Sequence, residues 1–161
     1  MPSRVCVTPA AAALTRRLQA QFGALVFHLS GGCCEGSAPM CLRAAGFRIG
    51  ARDVLLGRVE GCPFYVGAAQ FPYWANCVLT LDVTTGGGDS FSVEAVEGLR
   101  FTVRSRLFTD AELDAVEAAG SLPVGPQALG TMPHAVGPAR TRAYRGEAPA
   151  WPRPWRGAVL L

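Results

Sequence analysis

Apolar and polar positions divide the chain into three regions of different period. Leu14, Leu18 and Phe22 recur at i, i+4 and i+8, the spacing that lines one face of an α-helix. Thr8 can cap that helix, Pro9 suits its first position, and Gly23 stands where it should stop. From Ala24 to Phe108 the runs shorten and read as strands: "ALVFHL", "FRIG", "DVLLGRVEG", "CPFYVGA", "NCVLTLDV", "FSVEAV" and "LRFTVRSRLF". The last alternates most cleanly, with Leu99, Phe101, Val103, Ser105 and Leu107 on one face and Arg100, Thr102, Arg104 and Arg106 on the other. Glu60-Gly61 predicts a tight hairpin turn, and the glycine-rich "TGGGDS" predicts a looser connection. A second helix follows in "DAELDAVEAAG", capped by Thr109 with Glu112 three residues on and closed by Gly120.

Beyond residue 120 the periodicity stops. Residues 121–161 hold seven of the twelve prolines and five glycines, a composition that builds no packed core. The expectation is therefore one α+β domain over residues 1–120. It holds a mainly antiparallel sheet or small sandwich, an N-terminal helix and a short helix after the last strand. Residues 121–161 form an irregular extension, with Trp151, Trp155 and the closing "AVLL" able to dock on the body or on a second copy. A homo-oligomer formed through the extension is the matching expectation.

Composition narrows the class. A chain of 161 residues that is 50% hydrophobic and 17% charged can bury a core. No apolar run reaches the roughly 20 residues needed to cross a bilayer. "VCVTPAAAAL" lacks the basic start and cleavage site of a signal peptide. A cytoplasmic location without membrane attachment follows as an expectation. All fifteen basic residues are arginine, as a GC-rich genome would produce, and the excess charge is uneven. Residues 121–161 carry five arginines against Glu147, whereas the body is nearly neutral, which argues against a nucleic-acid platform.

The candidate chemistry centres on "HLSGGCCEGSAPMC", His28 to Cys41. Thiolates and imidazole bind zinc, iron or copper, and glycines let a short loop fold around an ion. Cys33, Cys34 and Cys41 are the first metal candidates, with His28 on the entering strand and Cys62 at the start of another. Their spacing is not that of a zinc finger or ribbon, so zinc, iron, an iron–sulfur centre and copper all stay open. Two other readings compete with metal binding. One is a loop cysteine that adds to an aldehyde. The other is simple packing of small sulfur-bearing side chains. No cationic residue adjoins Cys33 or Cys34 to favour the thiolate. A lone histidine such as His28 is more often a core residue than a ligand, and His134 sits in the proline-rich extension. "QFPYW" supplies aromatics for an apolar pocket or, more often, a core plug. No dinucleotide fingerprint or phosphate loop is present, so no nucleotide cofactor is expected.

The segments "FHLSGGCCEGSAPMC", "DVLLGRVEGCPFYV", "QFPYW" and "GLRFTVRSRLFTDAE" together resemble a bacterial family, domain of unknown function 779, over about residues 24–113. Members of that family are commonly encoded beside NAD-dependent aldehyde dehydrogenases. The resemblance thus implies a role in aldehyde or alcohol metabolism with such an enzyme as partner, and it implies no catalytic residue. "SGGCCEG" is also similar to the Gly-Gly-Cys-Ser-Gly segment of A-type iron–sulfur carriers, although the Cys-Gly-Cys those carriers add has no counterpart after Cys77. The leading expectation is a metal-binding accessory protein of aldehyde metabolism. The alternatives are a thiol-based aldehyde scavenger or enzyme, and a metal-free interaction module presenting the arginine strand and tryptophan extension.

Overall fold

The computed structural model describes residues 3–32, 37–86 and 91–126. Cys33, Cys34, most of the "TGGGDS" connection and the extension from residue 127, with His134 and both of its tryptophans, lie outside the described residues.

The two predicted helices form with the predicted boundaries. Helix α1 spans Pro9–Phe22, with the Thr8 side chain accepting from the Ala11 amide and Gly23 closing the last turn. Helix α3 spans Asp110–Ala119 and carries the full capping box between Thr109 and Glu112. Seven strands lie between or beside the helices: β1 (Val5–Val7), β2 (Leu25–Leu29), β3 (Met40–Arg43), β4 (Val54–Val59), β5 (Cys62–Val66), β6 (Cys77–Thr85) and β7 (Leu99–Leu107). A one-turn helix α2 (Phe71–Trp74) follows β5. At the β4–β5 hairpin Glu60 and Gly61 both take positive φ, +48° and +81°, as the primed hairpin turns require.

Two local expectations differ from the fold, and two short strands were not expected. "FRIG" pairs with no strand; Phe47 and Ile49 pack instead against Val26, Leu55 and Tyr65 on a sheet face. "FSVEAV" becomes a 3-10 turn over Val93–Glu97 that buries Glu94. The three-residue β1 and four-residue β3 are too short to show a period of their own.

The strands form two sheets, in orders β1-β6-β7 and β3-β2-β5-β4. Most pairings are antiparallel, but each sheet holds one parallel pair, β1 with β6 and β2 with β5. One core joins the inner faces of the two sheets: Val5, Val7, Leu79, Leu81, Phe101 and Val103 from the first meet Phe27, Leu29, Val59, Phe64 and Val66 from the second. Ala11, Leu14 and Leu18 of α1 complete it. At its centre Phe27 stacks on Phe64 and meets Phe101 edge-on, with ring centroids 5.8 and 5.1 Å apart, the offset and T-shaped geometries that aromatic quadrupoles favour.

Three of the four edge strands, β7, β3 and β4, are met by hydrogen bonds from loops. Ser37 accepts from the Val103 amide of β7 at 2.9 Å, and the Ser92 hydroxyl accepts from the Cys41 amide of β3 at 2.8 Å. On β4, Pro123 accepts from the Leu55 amide at 3.0 Å while Val124 bridges to Val54. Such plugs keep an unpaired edge from recruiting another strand.

Candidate functional site

Strand β2 is buried along its whole length, so both of its faces are covered. Phe27 and Leu29 look into the core between the sheets, whereas Val26 joins Leu55 and Tyr65 in a second cluster on the outer face, roofed by Leu42, Phe47 and Ile49. Alternation along the strand puts His28 on that outer face. It stands beside Tyr65 in the parallel register and 5.1 Å from the Phe47 ring, centroid to centroid.

His28 is only 6% exposed. Its Nε2 lies 2.9 Å from Asp53 Oδ2, and the Gly50 amide donates to the same oxygen at 2.8 Å. The Asp53 amide returns a bond to the Gly50 carbonyl at 3.1 Å, so a tight turn fixes the carboxylate against the ring. A carboxylate can only accept, which places the proton on Nε2 and leaves the lone pair of a neutral ring on Nδ1. That Nδ1 is buried and has no hydrogen-bond partner among the described residues. An unmatched buried polar atom of this kind costs about 1–3 kcal/mol. The arrangement is a carboxylate-oriented imidazole whose other nitrogen meets no partner among the described residues.

Cys41 and Cys62 are on the other side of the sheet. Cys41 sits opposite Phe27, and Cys62 lies two residues before Phe64; both belong to the inner core. Burial pushes the Cys41 thiol well above its ordinary range, and the neighbouring Glu94 and Cys62 add to the effect. Cys62 is pushed up to about 11, again mainly by burial, although a hydrogen bond from the Leu25 backbone and one from Gln19 work the other way. Gln19 Nε2 donates to the Cys62 sulfur at 3.1 Å. The fold therefore separates His28 from Cys41 and Cys62 by the thickness of a sheet, and these three do not form one ligand set. Among the described residues, no group of three or more histidine, cysteine, aspartate or glutamate side chains is placed to hold a metal ion.

Two further carboxylates, one buried and one partly buried, carry no clear signal in the sequence. Glu94 is 1% exposed, accepts from the Phe101 amide at 3.4 Å and receives a hydrogen bond from the Ser92 hydroxyl. The pair ties the 3-10 turn to β3 and β7. Asp53 is the other, and the "GARD" turn that holds it is the only hint of its role.

The remaining candidates resolve into structural roles. Arg104 pairs with Asp82 at 2.7 Å and Arg106 with Glu112 at 2.7 Å, so two of the three strand arginines have carboxylate partners on the protein itself. Of the aromatic cluster, Trp74 is a core residue with 2% exposure, Phe71 packs partly against the core and Tyr73 projects outward. The Trp74 Nε1 is buried without a partner among the described residues. No helix among the described residues is long and apolar enough to cross a membrane.

No curated protein and no solved structure matches the chain. A family model does, over residues 14–107, from the middle of α1 to the end of β7. That span is more than half of the chain and contains His28, Asp53, all the cysteines but Cys6, and the Ser92–Glu94 pair. The protein belongs to the DUF779 family, a domain of unknown function.

Proposed function

We propose that this protein binds a transition-metal ion through His28 and the cysteines that follow it, and serves an NAD-dependent aldehyde dehydrogenase as a small cytoplasmic accessory protein. The observation that carries the metal half is the His28–Asp53 pair: Nε2 held at 2.9 Å by a carboxylate, Nδ1 buried without a partner among the described residues. Histidines that ligate metals almost always hand their other ring nitrogen to a carboxylate or carbonyl, which fixes the tautomer and raises ligand basicity. Cys33 and Cys34 follow His28 by five and six positions across the glycines of the loop. Mixed imidazole and thiolate donors suit zinc, iron or copper. Cys41 and Cys62 are left out of the ligand set because they face the opposite side of the sheet. Their raised pKa values and burial also make them poor nucleophiles toward an aldehyde. The dehydrogenase partner is what the family resemblance implies.

Elemental analysis of anaerobically purified protein, with its absorbance spectrum, tests the reading. About one metal ion per chain is expected, lost in His28→Gln and in Cys34→Ser while the circular dichroism stays native. A metal-free wild-type preparation overturns the metal half. Failure of the protein to co-purify with the dehydrogenase, or to change its activity, overturns the accessory half.

A further inference from the structure

Strand β7 belongs to one sheet, yet the segment that follows it and α3 ends on the edge strand of the other. The Leu55 amide donates to the Pro123 carbonyl at 3.0 Å, and the Gly125 amide donates to the Asp53 carbonyl at 2.8 Å. Tyr65 adds its hydroxyl, donating to the Gly125 carbonyl at 3.4 Å, and Leu122 packs partly against the core. Residues 123–125 thus form a strap along the free edge of β4, with Val124 bridged to Val54. The strap lies beyond the span that matches the family. Its link to α3 passes through Gly120 and Ser121, both exposed, and Gly120 takes φ of +78°, so the chain can pivot there. Helix α3 stands on its own capping box and on the Arg106–Glu112 pair, and neither depends on the strap.

We propose that the strap is an exchangeable arm: residues 121–126 of one copy close the β4 edge of a second copy, and the second copy's strap closes the first. The occupant of the edge is the same sequence either way. Each bond lost within a chain is therefore regained between chains, which is what makes exchange of an element between identical copies cheap. Each Asp53, and with it the His28 pair, is then held from outside by Gly125 of the second copy. Six residues reach at most about 20 Å, which confines the exchange to a symmetric pair with its β4 edges side by side. Closure within one chain has the advantage of an effective concentration of about a millimolar. Closed single chains therefore predominate in dilute solution, and exchanged pairs accumulate as concentration rises. The inference is independent of the metal reading, and it gives a definite contact to the homo-oligomer expected of residues 121–161.

The strap bonds flank the Val54–Val124 pair rather than joining it, which marks the closely spaced kind of antiparallel pair. Cysteines at such positions lie within disulfide reach. In the full chain carrying both Val54→Cys and Val124→Cys, oxidation in dilute solution should join positions 54 and 124 within one chain; a failure to do so overturns the strap itself. The exchange is read from an equal mixture of the two single variants, one of them isotopically heavy. Peptide mass mapping should find the same disulfide between heavy and light chains, in a yield that rises roughly in proportion to concentration. That yield should exceed the yield from a control mixture of Val54→Cys with Val96→Cys, whose side chain is exposed on the turn before β7. Should a variant lose its native circular dichroism, the wild-type chain decides. In a mixture of differently labelled copies at about a millimolar, isotope-filtered NMR should show contacts from the Val124 methyls of one chain to the Leu55 amide of another. Cross-linking no greater than the control at every concentration, or the absence of those contacts between wild-type chains, overturns the exchange.

Discussion

At the scale of single residues, the cysteines separate by environment more sharply than by position in the chain. Cys41 and Cys62 are buried with raised pKa values, while Cys6 and Cys77 are partly accessible. With a pKa of about 11, Cys62 is thiolate in only about one molecule in a thousand at pH 8. Alkylation of the native protein followed by peptide mass mapping should therefore label Cys6 and Cys77 well before Cys41 or Cys62; early labelling of Cys62 would contradict the assignment to the core. Glu112 shows the opposite shift. Paired hydrogen bonds from Arg106 lead, a bond from the Thr109 backbone adds to them, and together they hold its carboxyl at about 2. A carboxyl whose folded pKa lies below its unfolded value stabilises above the unfolded pKa and loses that contribution as pH falls through the folded one. Acid unfolding of Glu112→Gln should thus lack a share of the wild-type loss between about pH 4.5 and pH 2. Thr109→Ala, which removes the other half of the capping box, should cost about 1 kcal/mol at neutral pH, measured by denaturant titration.

At the scale of elements, what could be read in advance depended on whether a segment carries its own instructions. Helices α1 and α3 are announced by Thr8, Pro9 and Gly23, and by Thr109, Glu112 and Gly120, because caps act locally. β7 shows its alternation over nine residues. β1 and β3 do not, since a three- or four-residue strand exists only through its partners. The same reason hid half of the candidate site. His28 could be placed on a strand face from the pattern alone, but Asp53 lies twenty-five positions away and meets it only once β2, β5 and the turn before β4 have assembled. Glu94 was illegible for a related cause: a carboxylate in an apolar run looks like surface until Ser92 and the Phe101 amide are seen to satisfy it. The loop before β3 depends on one such tertiary detail. Gly32 takes φ of +86°, and a Cβ there would run into the Ser37 side chain, so its glycine is required by space as well as by conformation. Ser92→Ala tests the element level directly. It strips the acceptor from the buried Cys41 amide and the donor from Glu94, and should destabilise by about 1–3 kcal/mol, seen as a lower midpoint in urea.

At the scale of the whole molecule, two small sheets share one aromatic-centred core, and three of their four edges are met from outside by loops. The β4 edge differs from those of β3 and β7, because its closure comes from the segment after α3, outside the family span. An edge left with free amides and carbonyls invites pairing with a second chain, and β4 is apolar enough to make that pairing adhesive, with Val54, Leu55, Leu56 and Val59 all buried. Two shortened chains separate the strap from everything beyond it. One ending after Pro126 keeps the bonds to Pro123 and Gly125 from Leu55, Asp53 and Tyr65; one ending after Gly120 loses all three. The strap offers three hydrogen bonds at about 0.5–1.5 kcal/mol each, opposed by the ordering of a few residues at about 1–2 kcal/mol apiece. Those terms nearly cancel, so removing the strap should shift the unfolding midpoint little relative to the longer chain. The exposed edge should show instead in assembly state. Sedimentation velocity is expected to find concentration-dependent self-association in the chain ending at Gly120 beyond that of the chain ending at Pro126, and Leu55→Pro in the shorter chain, which removes the edge amide, should reduce it. Equal sedimentation of the two chains at all concentrations would mean that the strap's part is confined to the His28–Asp53 side of the sheet.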